Sequence, residues 1–446
     1  MTDKDYLQIF DAAEDNEKFP LVYGWMKTEP LPFFKQLRAE SPVLVTPEVT
    51  LVTLFEDVRD LLQMPKIFTV ELYKPKMGDY LMTHDEDALH DREKSIMYSM
   101  LNRDDVPLVR KLITRNAKTI LDRAGGKIEI VENYCRGVPA SLVQDYFGLD
   151  GVDPKKLIDW SFWNQYNAFH NHHFNLESRD KFDHIVAENE RVKKELTGYI
   201  AKLVFRKSIA VKLRKLIHFL ATPLRMLLGL IYLLFGKKDT RDRLTDTTVT
   251  RMLATSYPKE VDFPIARLGL NAGGLLIGAI ETTSQAVAQS IEMILKDPNL
   301  LAQAKAAAEK EDTTEFDNIV WETLRYVPIS PFVFRVASEA YVIAKGRPHE
   351  TLVKAGTTVL VCTQSAMFDD YAYSNPDEFD PNRTFYHNFN FGFGYHECMG
   401  KHIGMVLIPE MVRQVILRKN IKADDAKIDY DDKPFPTFYN LSWDNA

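Results

Sequence analysis

Residues Phe391–Gly400 read FGFGYHECMG, and the fold follows from what this loop can do. Three glycines, Gly392, Gly394 and Gly400, surround a single cysteine, Cys398. Glycine lets a backbone come close to a sulfur, so that its N–H groups can point at it. The next residues, KHIGMVLIPEM, carry apolar side chains at helical spacing. A helix starting there aims its positive N-terminal end at Cys398, which predicts a lowered thiol pKa and a thiolate ready to bind a metal. The same residues also allow a plain buried cysteine, or a zinc site from His396, Cys398 and His402. No CxxC or further ligand pair supports the zinc site. A dinucleotide fingerprint is excluded, because position 397 is Glu and no strand–helix unit of the required kind follows.

Working outward, the chain has 446 residues, 45% hydrophobic and 27% charged, which is the mix of a globular protein with a large core. The net charge of −7 makes wholesale binding to a phosphate backbone unexpected, so no nucleic-acid partner is assigned. Three scattered cysteines (Cys135, Cys362, Cys398) predict no disulfide framework. The acidic N-terminus has no apolar core of a signal peptide, and the expected location is the cytoplasm. Val43 to Leu54 reads as a β-hairpin around Pro47. From about Asp87 to Tyr326 the spacing is mainly helical, including PLVRKLITRNAKTILDRAGG, ended by Gly125 and Gly126. A long helix, GLNAGGLLIGAIETTSQAVAQSIEMILKDP, is stopped by Pro298. A second β-rich stretch covers Phe332 to Val361, and a helix runs from about Met399 to Leu417. Helix dominates, with small sheets near both ends, and a doubly wound sheet is excluded.

One segment stands apart. Lys202 to Lys238 holds nine basic residues and no acidic one. From Leu216 to Gly236 its only charge is Arg225, with His218 and Pro223 as further polar or breaking positions. Pro223 and Arg225 argue against a membrane span. Basic flanks around an apolar body predict an interfacial helix pair in peripheral contact with a membrane, or else a buried helix hairpin. The cluster His170, His172 and His173 is expected in a channel wall or a solvated loop, not at a metal, because only Glu177 lies near as an acidic partner.

With these residues in view, FGFGYHECMG resembles the haem-binding loop of the cytochrome P450 family, F-G-x-G-x-H-x-C-x-G, at every fixed position. The resemblance implies a mainly α fold with small β-sheets, an α-rich triangular prism formed by residues 1–446 as one domain. In that fold a haem b lies between a long distal helix and the proximal cysteine loop. It implies Cys398 as the iron ligand. Phe391, Gly392, Gly394 and Gly400 shape the cofactor site, and His396 faces a haem propionate. Glu322 and Arg325 in WETLRY match the family's E-x-x-R pair, with Arg383 as the third, structural partner. GAIETT resembles the distal motif [A/G]-G-x-[D/E]-T-[T/S], with Ala279 where glycine is usual. This makes Glu281 and Thr282 the acid and alcohol that handle protons. EDALHDREKS resembles the D-P-P-x-H-x-x-x-R helix start and places His90 and Lys94 at the haem edge. Both prolines are absent, Glu86 stands for Asp, and Lys replaces the commoner Arg. Arg335 in FRVASEA matches the arginine of the following strand.

The implied activity is a haem-thiolate monooxygenase that inserts one atom of O2 into a hydrophobic molecule near Ile277, Ala279 and Thr282. A lipid-like, carboxylated or membrane-delivered substrate suits the basic, apolar segment. No flavin or nicotinamide fingerprint occurs, so electrons are expected from a ferredoxin or flavodoxin with its reductase, docking beside Cys398 at Lys401, His402 and Arg413. Two rivals are a peroxide-using enzyme (a peroxygenase or a fatty-acid hydroperoxide isomerase) and a haem sensor without catalysis. Retention of the acid–alcohol pair argues against the first.

Overall fold

The structure, a computed structural model, describes the backbone of residues 4–235 and 246–444, and the side chains of these except 218 and 221–235. The predicted hairpin is present. Strands Val43–Val45 and Thr50–Val52 pair antiparallel with Val43 opposite Val52, and Pro47 lies in the turn. The outer strands of the second β-rich stretch join the hairpin in one sheet, while its inner strands, Tyr341–Ile343 and Thr351–Val353, form a two-stranded sheet of their own. Thr50–Val52 pairs in parallel with Thr358–Val361, which pairs antiparallel with Val333–Ala337, and Phe68–Thr69 closes a five-stranded sheet. Alternation along Val333–Ala337 sends neighbouring side chains to opposite faces. Phe334 therefore packs on Phe174, and Arg335 turns to the central cavity.

Helices form the rest of the framework. Val106–Ala124 ends at Gly125, whose φ of 65° is left-handed, as the Gly pair predicts. The long distal helix is broken. It runs Ile265–Ala279 and then Glu281–Lys296, with Ile280 at the joint. Side chains enter the hydrogen-bond ladder there. The Ile277 carbonyl accepts Ser161 Oγ at 3.2 Å and also Gln165 Nε2, and the Gly278 carbonyl accepts Thr282 Oγ1 at 2.8 Å. Asp297 caps the next helix, Pro298–Ala308.

The basic segment is not a helix pair. Residues 202–235 belong to one continuous helix, Arg179–Phe235. Its first half is anchored on one side: Leu203 and Val204 are buried, and Arg206 and Lys207 both bind Asp150. The helix assignment continues through positions 223 and 225, the residues read as a break. Lys237 and Lys238, and the side chains of His218, Pro223 and Arg225, lie outside the described residues. Among the described residues no helix is long and apolar enough to cross a membrane.

The predicted structural triad is in place. Glu322 and Arg325 are buried in the helix Thr314–Tyr326 and pair at 2.7 Å. Arg325 donates to the carbonyls of Met367, Pro376 and Glu378, and Arg383 binds Glu322 at 3.3 Å together with the Ser374 and Asn375 carbonyls. A carboxylate and two guanidiniums thus gather the irregular 367–383 chain that leads to the cysteine loop.

Candidate active site

The cysteine loop needs its glycines. Gly392 and Gly394 have φ of 69° and 68°, and a Cβ on Gly394 would lie 2.8 Å from the Leu62 carbonyl. The Cys398 N–H donates to the Phe391 carbonyl at 2.9 Å and closes the loop. The proximal helix Lys401–Ile416 starts immediately after it. Gly404 on that helix is a further requirement that spacing did not reveal. A Cβ there would meet the Phe391 ring at 2.7 Å, so Gly404 lets Phe391 lie flat beside the sulfur. The predicted fall in the thiol pKa is not found. Burial is the largest influence and pushes Cys398 up, against the Gly400 backbone hydrogen bond and the charges of Lys94 and Lys401. Deprotonation therefore calls for a bound cation, which is what a thiolate-ligated metal supplies.

Cys398 lines a cavity of about 360 Å³. Phe391, Gly392, His396, Gly400 and Arg335 line it too, and so do Ile277, Ala279 and Thr282 of the distal helix. Sequence-predicted residues from three distant segments thus share one space. Its remaining surface is largely apolar, including Leu142, Phe147, Leu275, Leu324 and Ile408.

One edge of the site has more polar and cationic groups than Asp85 alone can satisfy. The His90 Nδ1–H donates to the Leu81 carbonyl at 2.8 Å, and its buried Nε2 has no partner. His396 Nε2 meets Asp85 at 3.1 Å, and its buried Nδ1 has no partner. Burial pushes His396 down to about 4 and lowers His90 as well. The His90 ring stacks on Tyr395 at 4.3 Å, and Lys94 donates to the Tyr395 carbonyl. Arg335 donates to the Phe334 carbonyl and has no salt-bridge partner among the described residues. Arg335 and His396 line the cavity, and His90 lies behind with its ring 5.2 Å from His396; His90, Lys94 and Gly394 are not among the lining residues, and two buried imidazole nitrogens are left without partners. A flat, mostly apolar cofactor with acidic groups on one edge fits this arrangement: the thiol meets its centre and the cationic edge meets its acids. Haem b has that chemistry.

The acid–alcohol pair is not arranged symmetrically. Thr282 faces the cavity, and its hydroxyl donates to the Gly278 carbonyl. Glu281 is fully buried behind it, with both oxygens 3.0 Å from Arg136 Nε. Arg136 also binds Glu132 at 3.1 Å and the Pro436 carbonyl at 3.0 Å. Burial pushes Glu281 up to about 7 against the pull of Arg136. Nothing local in the sequence singles out Arg136, which is 145 residues away. Of the expected donor-docking cations, Lys401 pairs with Glu397 at 2.7 Å. Arg413 turns inward and donates to the Ala308 and Lys310 carbonyls, so it closes a helix end and is not available for docking. His172 and His173 line a second cavity of about 480 Å³ with Lys76 and Glu177. Burial pushes His170 down to about 3 and His172 to about 4. Among the described residues no group of three or more His, Cys, Asp or Glu side chains is placed to hold a metal ion.

A family model described as Cytochrome P450 matches residues 236–434. Cytochrome P450 109 of Bacillus spizizenii is 22% identical over 375 residues, covering 83% of this chain and 80% of its own. Pulcherriminic acid synthase of Bacillus subtilis is 22% identical over 429 residues, covering 91% of this chain and 92% of its own. The structure of CYP109E1 from Bacillus megaterium in complex with testosterone superposes with a TM-score of 0.72 at 18% identity, over 97% of this chain and 100% of that one. That likeness is one of fold.

Proposed function

The chain belongs to the cytochrome P450 family of haem b monooxygenases, and on that premise we propose that it oxygenates an apolar small molecule with electrons from a separate donor protein. The observation that carries this reading is the shared cavity, in which Cys398 and Thr282 bound one apolar space. When bound, the haem supplies the activation of dioxygen. The chain's own residues do the rest. Cys398 ligates the iron, and Arg335, His90, His396 and Lys94 hold the acidic edge. The apolar lining excludes water and takes the substrate by burial.

Protons are handled on the distal side. The Thr282 hydroxyl, whose hydrogen rests on the Gly278 carbonyl, turns to give its proton to a group in the cavity and is reprotonated from the Glu281 side. Glu281 is the store behind it: a carboxyl near pH 7 can give up a proton and regain one under neutral conditions. Arg136 links that store to Glu132, which is half exposed. Oxidation requires an external donor protein, a ferredoxin or flavodoxin, meeting the proximal surface around Lys401 and His402.

Peripheral membrane contact is part of the proposal. Phe205, Ile209, Leu213, Leu216, Ile217 and Leu220 recur at helical spacing on Arg179–Phe235, and each is more than half exposed. Lys212 and Arg214 sit among them, a pattern that suits an anionic lipid surface. The test of substrate class is a compound library screened by haem spin-state shift, followed by donor-driven turnover. Hits that are apolar and yield oxygenated products are expected. Hits confined to polar or highly charged molecules, or no oxygenated product with a competent donor, would overturn the proposal.

A further inference from the structure

Among the polar groups that line the cavity and are not used by the proposed chemistry are Tyr80, Gln165, Thr283 and Asn390, whose buried Nδ2 lies on the cysteine-loop side; Tyr80 and Gln165 are the two set against the distal helix. Tyr80 is buried, and its ring lies directly on Gly274 of the distal helix, where any Cβ would overlap it. Its hydroxyl has no hydrogen-bond partner among the described residues, yet Tyr80 lines the cavity. A buried phenol normally finds a partner for its O–H. Gln165 is the second group. Its Nε2 donates to the Ile277 carbonyl, and its Oε1 has no partner among the described residues; Gln165 also lines the cavity. Gly274 and Ile277 are three apart on one helix, so the phenol and the amide sit one turn from each other. A phenol donor and an amide acceptor thus face a largely apolar cavity from neighbouring turns of one helix.

The charges facing this wall complete the argument. Among the described residues Arg335 is the only lysine or arginine lining the cavity, and it belongs to the edge that would hold the cofactor's acids. Tyr73 also lines the cavity, but its ring is stacked on Phe334 at 4.5 Å beside that same edge. Among the described lining residues no cation is left over for a carboxylate substrate. Burying an unpaired carboxylate costs far more than burying a neutral oxygen that accepts one hydrogen bond and returns another.

Building on the monooxygenase reading, we infer that the Tyr80 hydroxyl and the Gln165 amide oxygen anchor a neutral oxygen, an alcohol or a ketone, on an otherwise hydrocarbon substrate. An alcohol accepts from Tyr80 and donates to Gln165, and a ketone uses Tyr80 alone. Gly274 exists as glycine to admit the phenol. Tyr80 therefore sets specificity without touching the reacting atoms.

The test uses the haem-loaded full-length protein and three probes, 1-dodecanol, dodecane and dodecanoic acid, titrated by spin-state difference spectrum. The wild type should bind 1-dodecanol more tightly than dodecanoic acid. Tyr80→Phe keeps the ring on Gly274 and should weaken 1-dodecanol about five- to tenfold, the size of one hydrogen bond, while dodecane binding is unchanged. Equal losses for alcohol and alkane, no loss for the alcohol, tightest binding of dodecanoic acid, or no spectral response to 1-dodecanol would each overturn the inference. The haem–thiolate reading is checked apart from this by the ferrous–CO spectrum of the same preparation. A normal CO band with a failed titration condemns only the anchor, whereas an absent band condemns the reading beneath it.

Discussion

At Cys398, burial and local dipoles pull in opposite directions, and burial wins. The helix start and the Gly400 N–H alone do not make a free thiolate; they make a site where a bound cation completes the change. Thr282 and Glu281 divide their work in a similar way. Thr282 reaches the cavity, and Glu281 is clamped by Arg136. Thr282→Ala should leave haem content unchanged but divert donor electrons from product to hydrogen peroxide, seen as a lower ratio of product formed to reductant consumed. An unchanged ratio would remove Thr282 from proton handling. Glu281 is protonated below about 7 and becomes a carboxylate as pH rises through that value. Coupled turnover should therefore decline above about pH 7 in the parent. Glu281→Gln should be slower and lack that inflection. A parental profile flat from pH 6 to 8 would contradict the assignment.

Among the elements, the meander between 367 and 383 depends on one buried cluster. Arg325 satisfies three backbone carbonyls and one carboxylate, so Arg325→Ala leaves Glu322 charged and poorly paired in the interior. Loss of about 3–5 kcal/mol in unfolding free energy is expected, measured by denaturant titration. The exposed stripe on Arg179–Phe235 gives a second prediction at this scale. Making Leu213, Leu216 and Ile217 serine together should reduce pelleting with anionic vesicles and leave the melting temperature within a few degrees. Equal pelleting of both forms would end the membrane proposal. The helices and their ends were legible where a local signal exists: Gly125 at φ 65° and Asp297 ahead of Pro298 both do what their residue types predict. The merger of the hairpin with the outer strands of the second β-stretch was not legible, because parallel pairing of Thr50–Val52 with Thr358–Val361 joins segments some three hundred residues apart. The unbroken helix through residues 202–235 escaped reading for the same reason. Its first part is held by contacts such as Asp150 with Lys207, which periodicity does not record.

Across the whole molecule, the cysteine loop, the E-x-x-R pair and the distal threonine could be read from spacing because each is a compact motif. The contacts that tune them could not. Arg136 on Glu281, Tyr80 on Gly274 and Phe391 on Gly404 are meetings of distant or individually unremarked residues. Surface charge was only half legible, since Arg413 is spent on backbone carbonyls. Neutralising Lys401 should therefore slow donor-driven reduction and flatten its salt dependence, whereas Arg413→Ala should chiefly lower the melting temperature. Everything rests on the proposed ligation of haem iron by Cys398, and the ferrous–CO difference spectrum tests it directly. The wild-type protein should show a strongly red-shifted Soret band, and Cys398→His should retain haem but lose that shift. A wild type without the shifted band, or a Cys398→His protein that keeps it, would contradict the account.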